Sequence, residues 1–333
     1  MKKLVIFAMI LITALTLAAC GNVPAQAPAG SQLDSEPDDT VTETESPSID
    51  VGFSLAGEGH FSDQLAADIK SECASLNIVP QVSIASSAEQ QKSDISSMLL
   101  AGASVVVVVP LDADSLDSML SECETYDVRV INALDPVNGT VSMLISPDYK
   151  EIGKKAGQAA AGLLGSPGGR CMLLKTDYDS FTMQMMTDGF GAGIAKNKNI
   201  SIVSEPYCGS DEELAYSTTK DELSRKDVSF IFAQSAALGR GAMRAIEESG
   251  KDVKVVVFGG DMDIINAVSS GKAYASIFFG PRVLAREAAS HADKFVKSGS
   301  YAPPQYVEVP VVVVKQADAS TYYSENERHA QAG

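Results

Sequence analysis

From Ile49 to about Ala317 the chain alternates two textures. Apolar, β-branched runs of strand length fall at 49–55, 81–86, 103–109, 128–134, 141–146, 170–175, 200–204, 228–233, 253–258, 274–279 and 310–314. Amphipathic stretches of helical period lie between most of them, at 62–76, 88–101, 114–126, 149–164, 181–196, 211–224, 238–249, 261–269 and 283–298. The run from Val105 to Val109 has no polar alternation. That texture suits strands buried on both faces, as in a parallel sheet beneath helices. Strand–helix alternation on this scale predicts a doubly wound α/β fold. The pattern occurs twice: one round closes near Ser146, and a second opens with the helix after Asp148 and closes near Phe279. One more helix and one more strand follow. Two lobes are expected, with the chain crossing between them more than once and a ligand held where the C-terminal strand ends face each other.

The N-terminus has a different pattern. Lys2 and Lys3 precede an apolar run from Leu4 to Leu15, too short for a comfortable membrane span, and then Leu17-Ala18-Ala19-Cys20-Gly21. Small residues before a cysteine resemble the lipobox of bacterial lipoproteins, which implies lipidation at Cys20. Gly21 to Ser48 carries Pro24, Pro28, Pro37 and Pro47 with six acids and no Lys or Arg. Such a segment lacks the apolar content for a core and reads as a disordered tether, with a reach on the order of 30 Å. No other segment has the length and hydropathy to span a bilayer, so the folded part is expected just outside a membrane, and not as the permease itself.

Charge and cysteines narrow the partners. The formal net charge of −17 argues against nucleic acid and against adhesion to anionic lipid. Cys73, Cys123, Cys171 and Cys208 show no CxxC spacing. They read as buried free thiols, with a single disulfide as the alternative. His60, His291 and His329 are scattered, so no metal centre is expected. No GxSxG occurs, and no histidine is placed to serve as a base, so catalysis is not expected either.

The stretch "VGFSLAGEGHF" at 51–61 raises a nucleotide question, because a strand, glycines and a helix start can cradle phosphate. Gly57 and Gly59 supply G-x-G, but Ser62 stands where the third glycine belongs, and no acid closes the next strand at "VSIAS". No cofactor is expected. The loop reads instead as the lip of a solute cleft. The acid-rich "DADSLDS" reads as a helix start capped by Asp112 or Asp114.

Several stretches in order resemble one family: "LLAGASVVVVVPLDADSL", "VRVINAL", "SPDYKEIGKKAGQAAA", "VSFIFAQSAALGRGAMRAI", "VKVVVFGGDMDIINAVSSGKAYASIFFGPRVLAREA" and "VPVVVVKQ". Together with the first loop they look like the type I periplasmic binding proteins, in the ribose-binding branch that serves sugar ABC transporters. The resemblance implies two doubly wound parallel-sheet lobes joined by a three-crossing hinge, with crossings near Ser146-Pro147, Gly280-Pro281 and Val309-Pro310. The organisation it implies is 1–19 as signal, 20–48 as tether, 49–146 with 281–309 as first lobe, 147–280 with 310–317 as second lobe, and 318–333 as a polar tail. The core shared with lac-repressor-type regulators is set aside, since those open on a DNA-reading helix-turn-helix and this chain opens on a signal and a tether.

The resemblance also implies a ligand set: Ser54, Glu58, His60, Phe61, Asp135, Tyr178, Gln184, Ser235, Asp261 and Phe279. At most of these the chain departs from the family. Glu58 stands where an amide is usual, and Leu134-Asp135 where Asp-Arg is usual. Gln184 replaces an arginine, Ser235 an asparagine and Phe279 a glutamine, and Gly259 replaces an aspartate with Asp261 two residues on. Three readings follow: a ligand with a cationic or donor-rich face, a carbohydrate held by acids such as Asp261 rotating in, or a degenerate pocket. The function implied is a monomeric, lipid-anchored, extracytoplasmic protein that captures a small polar solute and delivers it to an ABC permease. The alternative is a ligand sensor that presents its closed state to a membrane histidine kinase or chemoreceptor.

Overall fold

The computed structural model describes residues 49–57, 59–112, 114–176 and 181–322. Cys20, the tether, Glu58, Tyr178 and His329 lie outside them. The first sheet is built from β1 (Val51–Ala56), β2 (Pro80–Ala85), β3 (Val105–Val108), β4 (Arg129–Ala133), β5 (Met143–Ser146) and β11 (Tyr306–Glu308). The second is built from β6 (Gly169–Leu174), β7 (Ile200–Ser204), β8 (Phe230–Ala233), β9 (Lys254–Phe258), β10 (Ala275–Phe278) and β12 (Val312–Lys315). Their spatial orders, β11-β5-β4-β3-β1-β2 and β12-β10-β9-β8-β6-β7, are the same arrangement repeated. Every pairing of the first sheet is parallel. In the second, β12 runs antiparallel to β10. That edge strand departs from the all-parallel expectation: it follows the return of the chain from the first sheet, not a helical crossover within the second.

Helices cover both faces of each sheet. α1 (His60–Leu76) and α9 (Pro281–Lys297) cover one face of the first sheet, with Phe53, Leu55, Ile69, Ile131 and Leu284 in the core between. α2 (Ala88–Leu100) and α3 (Asp117–Thr125) cover the other, over Ile95, Met98, Val106 and Leu120. In the second sheet α4 (Tyr149–Leu164) and α5 (Phe181–Ile194) pack on one face, and α6 (Glu212–Arg225), α7 (Ala236–Ser249) and α8 (Met262–Ser269) on the other. Four buried valines make up β3, as expected of a strand covered on both sides.

Local chemistry sets the helix starts. Ser87, Asp148, Asp211 and Ser235 each accept a hydrogen bond from a first-turn backbone N–H, satisfying donors that the helix itself leaves free. α3 departs from expectation. Its N-cap is Leu116, with no side-chain cap. Asp114 instead accepts a hydrogen bond from Asn138, a tertiary partner that draws it away from the helix end. The chain also stays ordered past 317: residues 316–322 are helical, Ala319 is buried, and the Tyr322 ring meets Phe278 edge-on at 5.0 Å. Cys73, Cys123, Cys171 and Cys208 are all free and buried, and burial pushes the Cys73 and Cys171 thiols up to about 12.

Candidate functional site

In an open parallel sheet the crevice forms where neighbouring connections leave in opposite directions. In the first sheet this point lies beside β1, which has β2 on one flank and β3 on the other. In the second it lies beside β6, between β7 and β8. The starts of α1, α5 and α7 therefore border the two crevices, and the C-terminal ends of both sheets supply the groups that meet between the lobes.

On the first-lobe side, the turn after β4 is shaped by Asn132, which is buried. Its amide donates to the carbonyl of Asp135 at 3.1 Å and accepts from Val137 N at 3.2 Å. Within this turn Leu134 is held at φ 69, a left-handed conformation costly for a branched side chain. The result is to project Asp135 toward the second lobe. Its carboxylate accepts hydrogen bonds from the hydroxyls of Thr182 on α5 and Tyr149 on α4. The Asp135 residue keeps solvent exposure, yet protein mass around it pushes its carboxyl above the ordinary range, and the two hydroxyls offset only part of that push. Burial, and then the neighbouring Asp135 charge, hold the Tyr149 phenol well above its ordinary range.

An aromatic floor continues from Tyr149. Its ring meets Phe258, at the end of β9, edge-on with centroids 6.3 Å apart. Phe258 contacts Phe279 at 6.2 Å, and Phe279 contacts Phe61 edge-on at 5.6 Å. Both separations fall in the range where ring pairs attract. Phe61 and Phe279 belong to the first-lobe core, while Phe258 packs against the cores of both lobes. The floor is thus a continuous row of rings from one lobe to the other, ending at the Asp135 carboxylate.

The second-lobe rim is ionic. Arg240 on α7 binds Glu212 at 2.8 Å and Asp261 and Asp263 at 3.2 Å each, so one guanidinium serves three carboxylates. Lys175, buried at the end of β6, pairs with Glu205.

The expected ligand residues separate into groups on this frame. Phe61, Phe279 and Asp135 come together through Phe258 and Tyr149. His60 opens α1 and is exposed, and Gln184 is exposed on α5. Ser235 caps α7, accepting from Leu238 N at 3.3 Å. Asp261 accepts a hydrogen bond from Arg240 at 3.2 Å. Ser54 shares the α2-facing side of β1 with Gly52, whose Cα lies against Met98, and is 0% exposed with no partner for its hydroxyl among the described residues. This is a place inside the core rather than on the cleft surface. Tyr149, Phe258, Thr182 and Arg240 are not among the expected residues. Tyr149 alone carries a local signal, in the "SPDY" that opens the second round of the pattern.

Two α/β lobes of repeated strand order, meeting at their strand ends over an aromatic floor, define a two-lobed binding-protein architecture. The model of the periplasmic binding protein domain matches residues 51–300, and the chain belongs to that family. The chain is 28% identical over 211 residues to the ribose import binding protein of Haemophilus influenzae, covering 62% of this chain and 71% of that one. It is 23% identical over 243 residues to the xylitol-binding protein of Mycolicibacterium smegmatis, covering 72% and 69%. Among solved structures, an ABC transporter solute-binding protein from Mycobacterium smegmatis with bound glycerol superposes with a TM-score of 0.75 at 25% identity, covering 82% of this chain and 96% of that one. The periplasmic ribose ABC transporter protein of Conexibacter woesei gives 0.77 at 18%, covering 83% and 95%.

Proposed function

We propose that the chain is an extracytoplasmic, lipid-anchored solute-binding protein that captures a small polar solute, a sugar or sugar-like molecule, between its lobes and delivers it to an ABC permease. The observation that carries this reading is the continuous path from Phe61 through Phe279, Phe258 and Tyr149 to Asp135. It gives the cleft an apolar side and a fixed polar end, the combination that orients a small polyol. The relatives that import ribose or bind xylitol support the solute class, and the N-terminal Leu17-Ala18-Ala19-Cys20 supports the anchor. Hinge closure of the lobes around the solute would then present both lobe surfaces to the permease.

Mass spectrometry of solute released from the gently unfolded protein, followed by small-angle scattering with and without that solute, tests the reading. A bound polyol or sugar and a smaller radius of gyration in its presence are expected. A protein that releases nothing, and whose scattering is unchanged by every sugar and polyol tried, would overturn it.

A further inference from the structure

We infer that the cleft selects a solute carrying a protonated amine, in chemical class an amino-substituted sugar or polyol, with Asp135 as the partner of the ammonium group. This rests on the reading of the interlobe cleft as a solute site and names the class of solute. Asp135 brings a carboxylate into the cleft, and the groups that touch it, the Tyr149 and Thr182 hydroxyls, are neutral. They orient the carboxylate without balancing it. An ionised carboxylate has about four acceptor sites, so two donors leave room for more.

Two second-lobe cations near the strand ends are already committed. Arg240 is shared among Glu212, Asp261 and Asp263, which leaves the second-lobe rim with more negative than positive charge. Lys175 is paired with Glu205. Gln234 adds an independent observation. It lies at the end of β8, immediately before the α7 cap, and is buried. Its amide nitrogen donates to Thr187 at 3.3 Å, and its Oε1 has no partner among the described residues. Buried polar atoms in folded proteins are nearly always paired, so this is an acceptor waiting for a donor.

A sugar hydroxyl is donor and acceptor together, whereas an ammonium is donor only. A carboxylate in the cleft, with a buried amide acceptor at the end of β8 beside the second-lobe crevice, matches the second. The aromatic floor strengthens the match. Phe258 packs against Tyr149, which reaches Asp135, and Phe279 and Phe61 continue the row; aromatic rings are favourable neighbours for a cation. The exposed Gln184 and His60 at the rim remain to meet the hydroxyls of the same molecule. A carboxylated sugar would place like charges together and is rejected.

Calorimetric titration of the mature protein with matched pairs tests this: glucose against glucosamine, galactose against galactosamine, each with its N-acetyl and uronate forms. In any pair that binds, the amine is expected at least about tenfold tighter than its neutral parent, as a hydrogen bond to a charged group implies. Acetylation should abolish that advantage, and the uronate should not bind. In Asp135→Asn the amine-to-parent ratio should fall to near one, whatever the absolute affinities. The wild-type ratios stand as a test even if the variant does not fold. A neutral parent bound as tightly as its amine overturns the inference and leaves the solute-binding reading standing. Failure of every pair, amines and parents alike, overturns the inference, and if the unfolded protein also releases no solute the reading itself falls with it.

Discussion

Asp135 sits where protein mass disfavours its charge, and this has a measurable consequence for the unliganded protein. Its folded-state pKa is raised, so the folded protein holds a proton that the unfolded chain releases earlier. Stability from this group is full below the ordinary carboxylate range and is lost as pH rises through that range to the raised value. Replacing Asp135 by Asn removes the titration. The melting temperature of the wild type should fall relative to Asp135→Asn as pH is raised from about 4 to 7, reading ordinary carboxylates as the start of the window. Parallel thermal melts across that range check it. A gap that stays constant would show that the two hydroxyl bonds balance the desolvation, and one that widens in favour of the wild type that they outweigh it. A carboxylate kept in the cleft at the expense of stability is what a binding group looks like, since a residue kept only for packing would not need the charge.

At the scale of elements, the second lobe depends on how closely α4 and α5 approach. A Cβ on Gly153 would lie 1.9 Å from the carbonyl oxygen of Met186, and one on Gly189 would lie 2.0 Å from that of Lys150. Gly157 and Gly193 make similar approaches, at 2.3 and 2.5 Å from backbone oxygens. Backbone cannot yield as a side chain can, so Gly189→Ala must push the helices apart, at a cost of about 1–3 kcal/mol or more. Because α5 carries Thr182, the same change should also weaken solute binding. Gly162, on the same helix α4, has nothing within 4 Å of the place a Cβ would take. Gly162→Ala should therefore be neutral, or should stabilise by up to about 1 kcal/mol through helix propensity. Urea denaturation of both variants separates the cases, and a Gly189→Ala protein as stable as Gly162→Ala would mean that propensity, not approach, governs the helix pair. Much of this architecture was legible in the sequence. Buried β-branched runs marked the strands, and amphipathic periods marked the helices from α1 to α9. β11 escaped because Tyr306-Val307-Glu308 is a short, half-exposed edge with no apolar run. The site was legible only in part. Phe61 and Phe279 could be read because they flank a loop and a strand end. Ser54, implied by the resemblance, lies in a sheet covered on both faces, which buries both sets of side chains. The commitment of Asp261 to Arg240 had no local signal, since it depends on where the starts of α6, α7 and α8 converge.

For the whole molecule, the question is what sets the balance between open and closed lobes. The chain passes between the sheets after β5, after β10 and after β11, and each passage carries a proline: Pro147, Pro281 and Pro310. A fixed φ at each crossing leaves its neighbours to absorb any hinge rotation. Across the cleft, the hydroxyls of Thr182 and Tyr149 reach from the second lobe to Asp135 in the first. These bonds favour the closed arrangement even without solute. Each is worth about 1 kcal/mol net, so removing both should move the open–closed ratio by about thirtyfold toward open. Tyr149→Phe with Thr182→Val does this while keeping the ring against Phe258 and the volume on α5. The unliganded double variant should scatter with a larger radius of gyration than the wild type. The solute-saturated forms should match, because a bound solute supplies the closing contacts itself. Apparent affinity should fall, since binding energy must then close lobes that the hydroxyls no longer hold. Unchanged scattering of the unliganded variant would show that the aromatic row alone, from Phe61 to Tyr149, keeps the lobes together, and would move the control of closure from the polar end of the cleft to its floor.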